Sequence, residues 1–452
     1  MSADGHNCCR NYTRSQLLRS AAAEAGKGLP AVEPGMPVPA GTGLTRRKFL
    51  SRSAGLALAV YGASKLPIAA FEDGIAQAAG NNRVLVSIFL DGGADALSLL
   101  APVGDPLYAS LRPTLALAPD QGTAFSEDTR LRWHPAAAGL ATLHGEGKVS
   151  AFPAIGYTSP NQSHFTSRHF WEIGEVEVGF RTGWLGRYLD LAGDNENPLQ
   201  GLSLDGSLSP ALATASKPVA AVDSVTDYDF WARVDDPVTD EMFSSFGRFG
   251  AFAADSAPMT QTRKAIARAE KLRRDLRQFD DFSSPVPYPN GSFAERLAGL
   301  AALLGEGMPL HCVTVSAPGG YDTHSDQAED FDRNIRRTCD AVLAFQRDLE
   351  ARGLADRVLI EMWSEFGRRP EENGSAGTDH GAAGAAFVIG SRARGQMVGE
   401  YPGLAALDED DNVRATSDFR GMYCALLEEW LGHDAGAIIP GASAFARPAL
   451  VR

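Results

Sequence analysis

Three short apolar runs each end in a loop rich in glycine and carboxylate, and this repetition limits the folds open to the chain. Residues 84–90 run into Asp91-Gly92-Gly93. Residues 312–315 lead to Gly319-Gly320-Tyr321-Asp322-Thr323-His324. Residues 358–363 lead to Ser364-Glu365-Phe366-Gly367-Arg368 and on to Thr378-Asp379-His380-Gly381. Runs at 149–153 and 386–389 have the same character. Short and mostly β-branched, without clean alternation, they suit central parallel strands covered on both faces. Helical patterns alternate with them at 135–144, 330–352 and 417–431. The clearest carries the stripe Phe331, Ile335, Cys339, Val342, Leu343, Phe345 and Leu349, closed by Gly353. Strand and helix in alternation predict a doubly wound, mostly parallel α/β sheet with helices on both faces.

The residues ahead of the first strand read as an address. Thr45-Arg46-Arg47-Lys48-Phe49-Leu50 is a twin-arginine sequence, followed by a moderately apolar stretch over 54–71 and by Ala76-Gln77-Ala78, a small-residue cleavage site. The expectation is a disordered extension plus signal peptide over 1–78, the twin-arginine translocase as a partner, and a periplasmic or extracellular mature part over 79–452. No later run has the length of a membrane span. Loss of the leader moves the formal charge from −14 to −18 (33 Lys/Arg against 51 Asp/Glu). So acidic a chain is unsuited to nucleic acid or anionic lipid. Cys312, Cys339 and Cys424 are isolated and odd in number, which argues against a disulfide framework and against a thiolate zinc site. Residues 204–290 differ in texture, with scattered aromatics and an amphipathic charged pattern over 263–279, and are expected to form an insertion or cap.

In open α/β sheets ligands sit at the carboxyl ends of strands, so the three loops can converge on one site. Carboxylates and imidazoles together are the ligand set of hydrolytic zinc, manganese or iron centres. Asp379-His380 lies between Gly377 and Gly381, whose freedom lets both side chains turn to one ion. Asp322 and His324, two residues apart, fall on one side of an extended segment. Asp91 follows a buried strand, where a charge needs a metal, an arginine or a helix to cap. Residues 157–171 follow another strand and open a helix. Ser163 or Thr166 there is either a hydroxyl placed to attack phosphorus or sulfur or simply an N-cap. His164 is a candidate ligand and His169 a weaker one. Glu365 can be a ligand or base and Arg368 can clamp a tetrahedral oxyanion, or the two can pair.

Together, Thr45–Leu50, Asp91-Gly92-Gly93, Asn161-Gln162-Ser163-His164-Phe165, Gly320-Tyr321-Asp322-Thr323-His324, Ser364–Arg368 and Gly377-Thr378-Asp379-His380-Gly381 resemble the exported bacterial proteins grouped as domain of unknown function fifteen-oh-one. That family, which has no assigned reaction, is placed in the alkaline-phosphatase-like superfamily with sulfatases and phosphoglycerate mutases. The resemblance covers nearly the whole mature chain and implies a one- or two-metal centre. It matches Asp379 and His380 to the superfamily's Asp-His pair, Asp91 to its first strand-end aspartate, and Ser163 to the position of its hydroxyl nucleophile. Three features depart from the pattern. One residue separates Asp322 from His324, where three are usual. The late third histidine has no counterpart, His433 lacking a flanking motif. Gly92-Gly93-Ala94-Asp95-Ala96-Leu97-Ser98 stands where the family commonly reads Gly-Gly-Asn-Asp-Gly-Leu-Asn.

The resulting expectation is an exported metal-dependent hydrolase of phosphate or sulfate esters. Asp91, Asp379 and His380 would hold one divalent ion (Zn, Mn or Ca), and Asp322, His324 and His164 a second. Ser163 or a bound water would attack a small anionic ester held by Arg368, with Glu365 alongside. The alternative is a non-catalytic periplasmic or surface binding protein that keeps the fold without the chemistry.

Overall fold

The computed structural model describes residues 60–61, 83–177, 179–195, 197–225, 236–252 and 282–452, together with Arg263, Ile266, Glu270, Arg273 and Leu276. Apart from 60–61, the twin-arginine leader lies outside the described residues. So does most of the helix expected over 263–279, although the five residues just named are helical.

The chain divides into two compact units. One comprises residues 83–177, 285–298 and 315–452, and the other residues 178–284 and 299–314 together with the N-terminal residues. In chain order the elements are β1 (Val84–Phe89), α1 (Ala138–Gly145), β2 (Val149–Gly156) and α2 (His164–Ile173). Then come α3 (Trp184–Ala192), β3 (Gly201–Ser203), β4 (Val219–Ala221), α4 (Asp236–Gly250), α5 (Ser292–Gly305) and β5 (Cys312–Ser316). They are followed by α6 (Gln327–Ala351), β6 (Val358–Trp363), β7 (Arg368–Glu372), β8 (Thr378–His380), β9 (Gly384–Ile389), β10 (Ser417–Asp418) and α7 (Phe419–Ala425). In the smaller unit β3 lies between β4 and the start of β5, all parallel.

In the larger unit the strands stand in the order β10-β2-β9-β6-β1. β6 pairs parallel with β1, as Glu361↔Ser87 and Trp363↔Phe89, and β10 pairs parallel with β2. The sheet is therefore mostly parallel and of the doubly wound α/β class. One strand departs from the expectation: β9, over the run read as a parallel strand, is antiparallel to both β6 and β2. The cause lies in the connection. After β6 the chain extends into the antiparallel ribbon β7–β8 and comes straight back as β9. A parallel neighbour would need a longer crossover, usually a helix.

Adjacent residues of β6 face opposite sides of the sheet. Trp363 stacks on Trp171 of α2 at 5.2 Å, and Trp171 on Phe419 of α7 at 4.5 Å. Met362 lies across the ladder from Phe387, whose ring meets Trp133 at 5.5 Å, and Trp133 in turn meets His144 of α1. Helices thus cover both faces, and each buried aromatic contributes about 1.5–3 kcal/mol. Along α6, Phe331, Ile335, Cys339, Val342, Phe345 and Leu349 are buried as their spacing predicts. Cys312, Cys339 and Cys424 are buried thiols. The pattern over 417–431 opens with two residues of strand, continues as α7 and closes in one π-helical turn, Leu426–Trp430.

Glu361 is the exception inside this core. It is fully buried in β6 and burial pushes its carboxyl up to about 8, with Ser87 across the ladder pulling the other way. Between the ordinary glutamate range and pH 8 the folded chain therefore binds one proton more than the unfolded chain. That stabilisation is complete in acid and fades as pH rises. We expect Glu361→Gln to flatten this dependence. In thermal denaturation the wild type should lose up to about 1.4 kcal/mol per pH unit relative to the variant between pH 5 and 8. Parallel pH profiles would refute the assignment.

Candidate metal centre

Loops at the ends of β1, β2, β5 and β6 supply the site, which lies wholly in the larger unit. Glycine lets these loops touch. Gly92 has φ +115°, and a Cβ there would sit 2.5 Å from the Asp322 amide nitrogen. A Cβ on Gly377 would sit 2.2 Å from the His324 carbonyl carbon. Backbone bonds join the loops: Ala317 N–H donates to Phe89 O and Tyr321 N–H to Asp91 O, both at 2.8 Å, and Thr378 N–H to Thr323 O at 3.1 Å.

Arg368, at the start of β7, is buried at the centre of this junction. Its Nε donates to Gly93 O at 2.7 Å and its Nη1 to Thr378 O at 2.8 Å. Its Nη2 meets Gly92 O, Tyr321 O at 3.1 Å and Asp322 Oδ1 at 2.8 Å. The guanidinium expected to clamp a substrate is committed to the protein's own loops.

His164, Asp322 and His380 form a group that can hold a metal ion, their ligand atoms all within 4.8 Å of one another. Asp322 Oδ1 lies 3.5 Å from His164 Nε2, 3.3 Å from His380 Nε2 and 3.1 Å from His324 Nε2. The far nitrogen of each ring is also engaged. His164 Nδ1 is 2.7 Å from Glu365 Oε1, His324 Nδ1 is 3.1 Å from Asp379 Oδ1, and His380 Nδ1 is 2.9 Å from Gln162 O. Glu365, fully buried, also accepts from the Gly92 amide at 3.0 Å and from the Ser364 hydroxyl at 3.0 Å.

These contacts set the charges. Burial works against an ionised Asp322, but hydrogen bonds from three imidazoles and the nearby Arg368 outweigh it and hold the carboxyl far below its usual range. Burial would likewise discharge His164, yet its bonds to Asp322 and Glu365 raise it to about 9. For His380 burial wins over Asp322, with Arg368 and His164 adding to the effect, and its pKa falls to about 4. Burial raises Asp91 to about 6, Arg168 opposing and Glu365 reinforcing.

The structure groups the expected residues differently from the two sets drawn from sequence. His380 joins Asp322 and His164. Asp91 lies outside that group and faces Arg168, with Oδ2 3.7 Å from Nη1. Asp379 and His380, both in β8, reach different nitrogens of the His324 ring, Asp379 Oδ1 at Nδ1 (3.1 Å) and His380 Nε2 at Nε2 (3.0 Å), and do not turn to one point. Ser163 occupies the N-cap position of α2 in extended conformation without a side-chain cap bond, and its amide donates to Asn161 Oδ1 at 2.8 Å. Three contributors escaped the sequence reading. They are the Gln162 carbonyl; Asn373, whose amide donates to Asp379 Oδ1 at 3.1 Å and to His324 O at 2.9 Å; and the buried pair Asp95–Arg112. Arg112 Nε donates to Pro370 O, and Gln327 bridges Asp95 to the Thr323 and Thr378 hydroxyls. Asp95 stood in a motif already noted, whereas nothing in local spacing marks Arg112 or Asn373.

Fold and site together define a doubly wound α/β protein with an imidazole–carboxylate centre at its strand ends. Residues 159–427 match the family described as "Protein of unknown function (DUF1501)", and the chain belongs to that family. No curated protein matches it. Among solved structures it is similar to the PsFucS1 sulfatase from Pseudoalteromonas sp., at 11% identity over 86% of this chain and 78% of that one, with TM-score 0.35. It is also similar to the C-terminal periplasmic domain of EcEptC from Escherichia coli, in complex with Zn, at 9% identity over 80% and 87% and TM-score 0.37. A third is the soluble domain of lipooligosaccharide phosphoethanolamine transferase A from Neisseria meningitidis, at 10% identity over 82% and 95% and TM-score 0.32. Among the described residues no helix is long and apolar enough to cross a membrane.

The junction depends on the fork of Arg368, which a lysine cannot reproduce because its single ammonium cannot reach carbonyls on three loops. We expect Arg368→Lys to destabilise the fold by roughly 3 kcal/mol, the scale of breaking a buried charge network. Urea denaturation measures this directly. A midpoint unchanged from wild type would show that the loops hold together without the guanidinium.

Proposed function

We propose that this chain is an exported, metal-dependent hydrolase or transferase acting on phosphate or sulfate esters. The observation that carries the reading is the convergence of His164, Asp322 and His380 at the strand ends, with Ser163 preceding His164 as the N-cap residue of α2. Nitrogen and oxygen donors in this number suit a divalent ion of the zinc or manganese kind better than calcium. A bound ion there supplies Lewis-acid polarisation of an ester oxygen and eases deprotonation of a hydroxyl or water.

The chain's own residues do the rest. Asp322 and the two imidazoles would hold the ion. Glu365 orients the His164 ring through Nδ1, and Arg368 positions Asp322 and the loops without touching substrate. The Ser163 hydroxyl is the nucleophile, and the amide end of α2 favours negative charge developing beside it. Asp91 and Arg168 form a charged pair near Glu365 and His164. Export follows from the twin-arginine leader, with the translocase as partner.

The commitment of Arg368 to backbone carbonyls favours one second reading, a binding protein that keeps the centre without turnover. A panel of aryl phosphates and sulfates, assayed with added Zn²⁺, Mn²⁺ or Ca²⁺, separates the two. We expect turnover that Asp322→Asn abolishes and that Ser163→Ala lowers by at least about 10³-fold, metal content being retained in the serine variant. Retained metal without turnover on any ester would leave the binding reading in place.

A further inference from the structure

We infer that the centre takes a single zinc ion on His164, His380 and Asp322, whose ligand atoms lie within 4.8 Å of one another, with His324, outside that group but in contact with Asp322 and His380, swinging in as a third imidazole, and with Asp379 and Glu365 beyond the coordination shell as positioning residues. The inference deepens the metal half of the reading above and rests on it.

Ring orientation is the starting point. A carbonyl oxygen only accepts, so Nδ1 of His380 carries the hydrogen it directs at Gln162 O, and its Nε2 is the nitrogen left for a ligand. Nδ1 of His164 and of His324 face the carboxylates of Glu365 and Asp379 and donate in the same sense. All three rings therefore direct Nε2 toward one atom, Asp322 Oδ1, at 3.5, 3.1 and 3.3 Å for His164, His324 and His380. The Nε2 atoms of His324 and His380 are themselves only 3.0 Å apart. That is hydrogen-bond distance, so one ring donates to the other when only protons are present, and a cation beside Asp322 would take the place of that shared proton.

Donor chemistry selects the ion. Three nitrogens and one oxygen make a set that Zn²⁺ accepts readily, whereas Ca²⁺ and Mg²⁺ require shells made mostly of oxygen. The carboxylates beyond the rings match the arrangement by which a ligating histidine is fixed in tautomer and orientation. Asp379 is in turn held by Asn373 Nδ2 at 3.1 Å, on the far side of His324 from Asp322. Asp379 meets His324 at Nδ1 while His380 meets it at Nε2, which is why adjacent residues take different roles.

The test is zinc binding by the purified mature protein, with bound metal counted by plasma mass spectrometry and imidazole ligands counted by zinc-edge X-ray absorption. We expect one Zn²⁺ per chain bound by three imidazoles. His324→Ala should lose the ion on dialysis. Asp379→Asn should keep one ion, bound about 10–100-fold more weakly. Two ions per chain, or one or two imidazoles on the wild-type metal, would overturn the inference while leaving a metal centre. So would an Asp379→Asn variant that empties while His324→Ala stays full. The absorption count needs no variant, so a poorly folding substitution does not blunt the test. No zinc retained by the wild type would remove both the inference and the metal reading.

Discussion

A single buried guanidinium decides whether the strand-end loops of this protein can share a site. The carbonyls of Gly92, Gly93, Tyr321 and Thr378 all aim at the Arg368 side chain, and the Asp322 carboxylate joins them. Without a cation, that inward-pointing set of buried negative dipoles would drive the loops apart. Arginine suits the position because its flat fork reaches acceptors in several directions from one fixed plane. A second buried arginine repeats the solution one layer out. Arg112 holds Asp95 and the backbone of β7, and Gln327 carries the network on to Thr323 and Thr378. The residues flanking Asp322, His324 and His380 are thus anchored by two buried arginines, of which Arg368 also touches Asp322 Oδ1 itself.

The charge of the centre follows from this packing. Asp322 is one carboxylate surrounded by a guanidinium and three rings, so it stays ionised despite burial. Among the rings the environment divides labour. His164 lies between two carboxylates and is easily charged, while burial, reinforced by the fields of Arg368 and His164, favours neutral His380.

Much of this frame was legible in the chain. The apolar runs at 84–90, 312–315 and 358–363 gave strands, the stripe from Phe331 to Leu349 gave α6, and the residues of the centre were all among those singled out. What stayed hidden has a common cause. Hydrophobic period reveals that a segment is extended but carries nothing about its direction, so β9 was read parallel. Local spacing shows that a charge exists but not which of its possible partners wins. Arg368 therefore looked available to substrate until loops hundreds of residues apart were brought together, and of the partners open to Asp91 only the fold shows Arg168 beside it. Contributions from backbone, such as the Gln162 carbonyl on His380, have no side-chain signature at all.

The ribbon β7–β8 shows how register converts sequence spacing into role. Asp379 and His380, adjacent in β8, meet different nitrogens of the His324 ring, while Asp322 and His324, with one residue between them, can face the same way. A slip of one residue in the ribbon would exchange the positions of Asp379 and His380 and remove a nitrogen from the centre. The register is pinned at both ends. Arg368 lies directly across from His380, and its side chain binds the carbonyl of Thr378. At the turn, Asn373 accepts from the Ser375 and Gly377 amides and donates to Asp379. The same arginine that gathers the loops therefore also fixes which acidic or imidazole group reaches inward, so the folding of the junction and the composition of the centre are one problem with one solution.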